Sequence, residues 1–292
     1  MRGRRLILSV VTVGLSALVL CPALNADTWA YWRFEDGSST TTAIDSAAGG
    51  NDGTISGASY TGSGAWDPVP QTGASNNNAL SFDGSDDYVS ATVSDHANFT
   101  SDTLTVEAFF TPQDTTPSKQ GLVTKFDNGG GQVSEQSWAL HIGNNNAPTS
   151  PMFSVRESDG DLHNAVLDAS IEVGQTYAVA GVLDATGGSG EISIHLKEQG
   201  GDWVSASSTF SDWEGMQQTD TDVRVGSFGS GSASDYLWFA DGTIDEARIS
   251  GEALSEGEML ATPEPGTTTL ALLAAGFAGM LIWRRRKDRP LS

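Results

Sequence analysis

Cysteine is nearly absent from the 292-residue chain, which has one, Cys21, inside an N-terminal apolar run. A disulfide framework and a Cys/His zinc cage are therefore excluded for the rest of the chain. Basic residues are scarce as well: 15 Lys and Arg stand against 37 Asp and Glu, a formal net charge of −22. General nucleic-acid binding needs a basic face that releases counterions from phosphates, so that class falls away. Charged residues make up only 18% of the chain and helical periodicity is almost missing, which excludes coiled coils and helical enzymes. There is no Gly-x-Ser-x-Gly elbow and no His-Glu-x-x-His pair, and the Gly-rich loops lack the Lys and following helix that phosphate binding uses. The four histidines, His96, His141, His163 and His195, are isolated from one another and read as structural or surface residues.

What basic charge there is sits at the two ends. Arg2, Arg4 and Arg5 open the chain, and Arg284, Arg285, Arg286, Lys287 and Arg289 close it. Between Asp27 and Thr262 only seven basic residues face 35 acids, a net of −28. The N-terminal cluster followed by the apolar run Leu6 to Cys21 has the charged and hydrophobic regions of a secretory signal peptide, residues 1–26, with cleavage after Ala26. Sec-type export is the reading; an uncleaved anchor is the alternative, and the Arg4–Arg5 pair keeps twin-arginine export as a second route. At the other end, Pro263, Glu264 and Pro265 precede a charge-free run, residues 267–283, then the Arg284, Arg285, Arg286 cluster. As a helix this run is just long enough to cross about 30 Å of hydrocarbon, and the basic cluster places the last residues in the cytoplasm and the acidic middle outside. Proline-glutamate-proline, apolar run and basic cluster, in that order over residues 262–292, resemble the PEP-CTERM sorting signal of Gram-negative bacteria. The resemblance implies recognition by an exosortase-type processing enzyme, removal of the tail and delivery to the envelope or extracellular polymer. A plain C-terminal membrane anchor has the same topology without processing.

Residues 27–261 read as one β domain. Short runs of strand character recur between Gly, Asn, Asp, Ser and Pro, twelve of them from Ala30–Phe34 to Leu237–Ile249. Leu104 to Phe109 alternates apolar and polar, as a strand with one face on a core does, and Tyr177 to Leu183 is apolar nearly throughout, as a central strand is. A dozen strands predict an all-β, two-sheet antiparallel jelly-roll sandwich. In Ile244 to Ile249 the two isoleucines have opposite parity, which predicts a bulge or bend between them. Arg248 is expected to pair with Asp245, Glu246 or Glu35. One short helix is predicted over Glu256 to Ala261, with Ser255 and Glu258 as its capping box.

Four segments together resemble the laminin-G-like, concanavalin A-like family of jelly rolls. They are Tyr31 to Gly37 (YWRFEDG) with Asp45 and Asn51 to Gly53, Ala79 to Val89 (ALSFDGSDDYV), Leu104 to Phe109 (LTVEAF), and Gly242 to Ile249 (GTIDEARI) leading to Ala253 to Glu258. The usual Tyr-x-Asp-Gly of a late strand is replaced by Leu196 to Gly200 (LKEQG), so that hairpin is expected to be rebuilt. The resemblance implies a possible structural Ca2+, which takes six to eight hard oxygens. The expected ligands are Asp36, Asp45, Asn51 and Asp52, joined by Asp245; Asp83, Asp86 and Asp87 form a second candidate set. It also implies carbohydrate as a ligand class. Among Trp66, Trp138, Trp203, Trp213 and Trp238, the pair Trp203 and Trp213 lies in a polar stretch and is the expected sugar-stacking platform. Glycanases share the fold but need two facing carboxylates, and Asp245 and Glu246, being adjacent, face opposite sides of a regular strand.

The sequence therefore predicts an exported, non-catalytic binding or adhesion module for carbohydrate or extracellular polymer, acting at the envelope surface or in the extracellular matrix. A divergent glycanase or lyase, and a structural envelope protein without a soluble ligand, are the competing classes.

Overall fold

The structure, a computed structural model, describes residues 27–37, 40–92, 99–116, 119–127, 135–144, 147–229 and 238–263. The signal peptide, His96, Glu264, Pro265, the 267–283 run and Arg284, Arg285 and Arg286 lie outside the described residues.

Sixteen strands form two antiparallel eight-stranded sheets. The first sheet contains β1 (Thr28–Trp32), β4 (Ser59–Tyr60), β5 (Leu80–Asp83), β7 (Thr103–Pro112), β12 (Tyr177–Asp184), β13 (Ser189–Glu198), β14 (Trp203–Ser211) and β16 (Asp241–Ser250). Their order is β14-β13-β12-β7-β16-β5-β4, with β1 beside the far half of β16. The second contains β2 (Thr42–Ala43), β3 (Gly53–Ser56), β6 (Tyr88–Ala91), β8 (Gln120–Phe126), β9 (Gln136–Asn144), β10 (Ala147–Arg156), β11 (Leu162–Val166) and β15 (Val223–Val225), in the order β11-β10-β9-β8-β15-β6-β3-β2. This is the predicted jelly-roll sandwich.

The core lies between the sheets, where alternation brings Leu104, Val106, Ala108 and Phe110 of β7 into one cluster with Trp138, Leu140 and Ile142 of β9 and Phe153 and Val155 of β10. Burying each large apolar side chain contributes about 1.5–3 kcal/mol, and with no disulfide this core carries the stability. Phe153 of the second sheet presses closely on Gly181 of the first, where a Cβ would stand 2.2 Å from its Cγ. At the β5–β6 connection Phe82 is buried and Gly84 has φ +77°, the left-handed turn conformation that the Asp83–Gly84 pair predicts. One flank of the sandwich is closed by aromatic rings: His163 of β11 stacks on Phe210 of β14 at 4.2 Å, and Trp213 lies 5.2 Å from Phe210.

All twelve predicted strands are present. β2, β3, β4 and β14 are additional, three of them four residues or shorter. The fourth, β14, is a Ser/Thr-rich edge strand with little apolar alternation to announce it. The LKEQG hairpin is rebuilt as expected: β13 runs to Glu198, Gly200 turns at φ +78°, and β14 begins at Trp203.

Among the described residues there is no helix, so the helix expected over Glu256 to Ala261 is a correction. Half of its capping box forms, since Ser255 donates from N and Oγ to Glu258 Oε2 at 3.0 and 2.6 Å. The chain then turns instead of coiling, because tertiary partners take its backbone groups. Leu260 N donates to Glu107 Oε2 at 2.8 Å, and Glu258 O accepts from Arg248 Nη2 at 3.0 Å. Met259, Leu260 and Ala261 are buried on the outer face of the first sheet.

Candidate functional site

The two outer faces of the sandwich are finished differently. On the first sheet the predicted bulge is real: the β16–β7 register shifts between Asp245 and Arg248, and Glu246 has φ +50°. A bulge puts two successive residues on one face, and both Asp245 and Glu246 reach the 61–79 loop side, which corrects the expectation of opposite faces. Asp245 accepts from Ala65 N at 2.8 Å and Asn76 Nδ2 at 2.7 Å. Glu246 accepts from Tyr31 Oη and from Arg33 Nη2 at 3.1 Å, and Arg33 also donates to Ser75 O. Both carboxylates are fully buried. Burial and the neighbouring Glu246 push Asp245 up to about 8, and burial raises Glu246 against the opposing pull of Arg33. Arg248 pairs with none of its expected partners. It turns to Glu107 on β7, with Nε to Oε1 at 2.7 Å, because after the bulge Arg248 lies on the same outer face while β7 presents Glu107 directly opposite. Gln71 Oε1 accepts its remaining fork at 2.8 Å. This face is a sealed polar layer under loop 61–79 and residues 258–261.

The second sheet's outer face is open. A groove of about 160 Å³ runs across β8, β9, β10 and β11, with Phe228 and Trp238 from the β15–β16 connection as one wall. Its floor is polar because the outward positions of these strands are: His141 on β9, Ser154 and Arg156 on β10, and Asn164 on β11, which alternate with core residues. The strands are registered so that Ser154 faces Asn164, and Ser154 donates to Asn164 Oδ1 at 2.6 Å. His141 Nε2 lies 3.1 Å from Ser154 Oγ and Nδ1 3.2 Å from Gly143 O. Burial first, and the charge of Lys119 second, hold His141 down to about 3, so the imidazole is neutral at physiological pH. Lys119 Nζ stands 4.1 Å from the centre of the half-buried Trp238 ring, which packs edge-on to Phe228 at 5.1 Å. A half-exposed indole beside an amide, a hydroxyl and a guanidinium can stack one sugar face and hydrogen-bond its hydroxyls.

The sequence-predicted residues fall elsewhere. Trp203 is half-buried on the first sheet's outer face, donating to Thr262 Oγ1 at 2.9 Å, while Trp213 is half-buried on the flank, donating to Asp102 Oδ1 at 2.8 Å. They share no face. Trp66 and Trp138 are buried. Of the first metal set, Asp45 accepts from Tyr31 N, Ala47 N and Asn51 N at 2.8–2.9 Å, Asp52 accepts from Asp45 N at 2.8 Å, and Asp36 accepts from Ile44 N at 3.0 Å. These residues and Asn51 lock the corner between β1 and β3, whereas Asp245 lies in the sealed layer, and no three of Asp36, Asp45, Asp52 and Asp245 converge. Asp83, Asp86 and Asp87 do: their carboxylate oxygens lie within 4.8 Å of one another. Pro263 lies in a second concavity, of about 320 Å³, lined also by Trp66, Pro68, Pro70 and Lys197. Sequence reasoning missed Lys119, His141, Arg156, Asn164 and Trp238 as a group. The available signal was the single polar residue at each outward position of otherwise apolar strands.

Residues 83–259 match the family model described as the concanavalin A-like lectin/glucanases superfamily. The chain belongs to that superfamily. Its concanavalin A-like domain is followed by a match to the PEP-CTERM protein-sorting motif at residues 261–287, which implies exosortase processing, export and sorting to the cell envelope. Among curated proteins none matches the chain. In structure the concanavalin A-like domain is similar to the binding domain of Paraclostridial Mosquitocidal Protein 1, at 12% identity and TM-score 0.51, covering 82% of this chain and 52% of that one. It is also similar to Trypanosoma rangeli sialidase in complex with 2,3-difluorosialic acid, at 13% identity and TM-score 0.51, covering 83% of this chain and 33% of that one. The chain thus spans about half or a third of the solved chains it matches, and likeness at such identity shows the fold alone.

Proposed function

We propose that this concanavalin A-like domain binds carbohydrate without catalysis, through the groove on its second sheet, at the envelope surface or in the extracellular polymer of a Gram-negative bacterium. In this reading the C-terminal run anchors the chain in the membrane until the exosortase-type enzyme acts. The observation that carries the binding role is the Trp238 ring set half-open over a polar floor of Ser154, Arg156 and Asn164. Two further facts favour binding over hydrolysis. The described residues lining the groove include no carboxylate, while glycoside hydrolysis by the common routes uses two. His141, held to about 3, is far too weak a base for work near neutral pH.

The test is affinity electrophoresis of the full-length protein through gels containing individual polysaccharides. At least one polysaccharide should retard the wild type, and Trp238→Ala should remove the retardation while its melting temperature stays within a few degrees. Migration unaffected by every polysaccharide, or retardation that survives Trp238→Ala, would overturn the reading.

A further inference from the structure

Among the described residues, the groove gathers two of the protein's scarce positive charges without an ion pair. Seven basic residues serve the −28 span between Asp27 and Thr262. Arg33 and Arg248 are committed to Glu246 and Glu107 in the sealed layer. Lys125 and Arg224 are buried within the second sheet, Lys125 donating to Thr221 O and Arg224 lying over the Tyr88 ring. Lys197 lies over Trp203 on the opposite side of the molecule. The remaining two, Lys119 and Arg156, line the same groove, and among the described residues neither makes an ion pair. Arg156 donates from Nη1 to Gly160 O at 2.6 Å and from Nη2 to Gln136 Oε1, which fixes the guanidinium plane and leaves its buried Nε–H without a partner. Lys119 is half-buried, and burial alone lowers its pKa.

We infer that the groove selects sugars bearing an anionic substituent, a carboxylate or a sulfate, and this inference rests on the carbohydrate reading above. Two partly desolvated cations with no carboxylate of their own are each in deficit, and a ligand anion supplies what the fold withholds. The guanidinium of Arg156 and the ammonium of Lys119 offer a two-point contact, and Trp238 takes the apolar face of the ring that carries the anion. In a chain with 35 acids over this span, a groove whose described lining residues include none of them is a strong local departure. The nearest carboxylate acting on Arg156 is Asp161, on the β10–β11 turn and outside the groove lining. The overall −28 does not cancel the effect, because charges more than about 8 Å away are largely screened at physiological ionic strength, while the groove cations act at contact.

The experiment compares binding of the full-length protein to immobilised polygalacturonate, dextran sulfate and unmodified dextran. The expected result is binding to at least one charged polymer about tenfold tighter than to dextran, with Lys119→Gln and Arg156→Gln each losing about tenfold, the worth of one charge-assisted contact. Preference for polygalacturonate assigns the anion as carboxylate, and preference for dextran sulfate as sulfate. Lys119→Gln removes no structural hydrogen bond, so it keeps the test valid even if Arg156→Gln fails to fold. Equal, Trp238-dependent binding to all three polymers, unchanged by Lys119→Gln, would overturn the anion selectivity and leave the carbohydrate reading standing. Binding to none of them, or to free sulfate alone, would overturn both.

Discussion

The outer faces of the two sheets carry similar raw material and put it to opposite use. Each presents polar or charged side chains at outward strand positions: Glu107, Asp245, Glu246 and Arg248 on the first sheet, His141, Ser154 and Arg156 on the second. On the first, loop 61–79 and residues 258–261 close over the charges, and Arg33 and Arg248 each find a carboxylate. On the second, among the described residues, Phe228 and Trp238 form one wall of the groove, and Lys119 and Arg156 make no ion pair. Outward polarity alone does not mark a binding face. What marks it is whether the protein itself satisfies the polar groups.

That contrast breaks first at Arg248. Arg248→Met leaves Glu107 charged and buried without its partner, and the expected loss is about 3–5 kcal/mol in urea denaturation. Lys119→Gln, on the open face, should stay within about 0.5 kcal/mol of wild type. If both variants lost the same amount, the distinction between sealed and open faces would fail. The next effect is in pH. Asp245, at about 8 in the folded chain, lies far above the ordinary carboxylate value of about 3.9, so the folded state holds a proton that the unfolded state has released. Its stabilising contribution is full below about pH 4 and is lost as pH rises to 8. Across that window Asp245→Asn, which does not titrate, should gain stability relative to wild type; parallel curves would show that Asp245 is ionised throughout. The smallest effect belongs to Asp83, Asp86 and Asp87. Three converging carboxylates suit Ca2+ in donor type. After chelation, millimolar calcium should raise the melting temperature by a few degrees, and Asp86→Asn should reduce that rise. An unchanged melting curve would leave them as turn formers.

Much of the first sheet was legible. The opposite parity of Ile244 and Ile249 called for a bulge or bend, because the inside–outside alternation of a regular strand cannot bury both, and a register shift lies between Asp245 and Arg248. The partner of Arg248 was not legible, since it depends on the bulge's direction and on β7 lying opposite, a pairing between residues 141 apart. The capping box at Ser255 and Glu258 was correctly read as a local hydrogen bond and wrongly extended to a helix, because Gln71, Glu107 and Arg248 claim the backbone that a helix would use. The groove was least legible. Its residues come from four strands and a connection, and Trp238 is separated in sequence from everything it faces. Trp203 and Trp213 attracted attention by their polar neighbourhood, yet Trp203, at the start of an edge strand, hydrogen-bonds Thr262, and Trp213, just beyond that strand, hydrogen-bonds Asp102 on the flank.

The pairing of β1 with β16 has a consequence for the order in which the molecule is made. Tyr31 and Glu246, in contact here, are 215 residues apart, so the first strand of the domain waits for the last. Contacts of such separation form late and slow folding. A chain threaded outward from its N-terminus cannot close this sheet until β16 has emerged, shortly before the residues that hold the sorting motif. Closure then places Thr28 beside Ser250 and draws Leu260 beneath Gln71, a few residues short of Pro263. The start of the sorting motif is thus fixed in position by the same event that finishes the fold, and completion of the domain and presentation of its address become a single step.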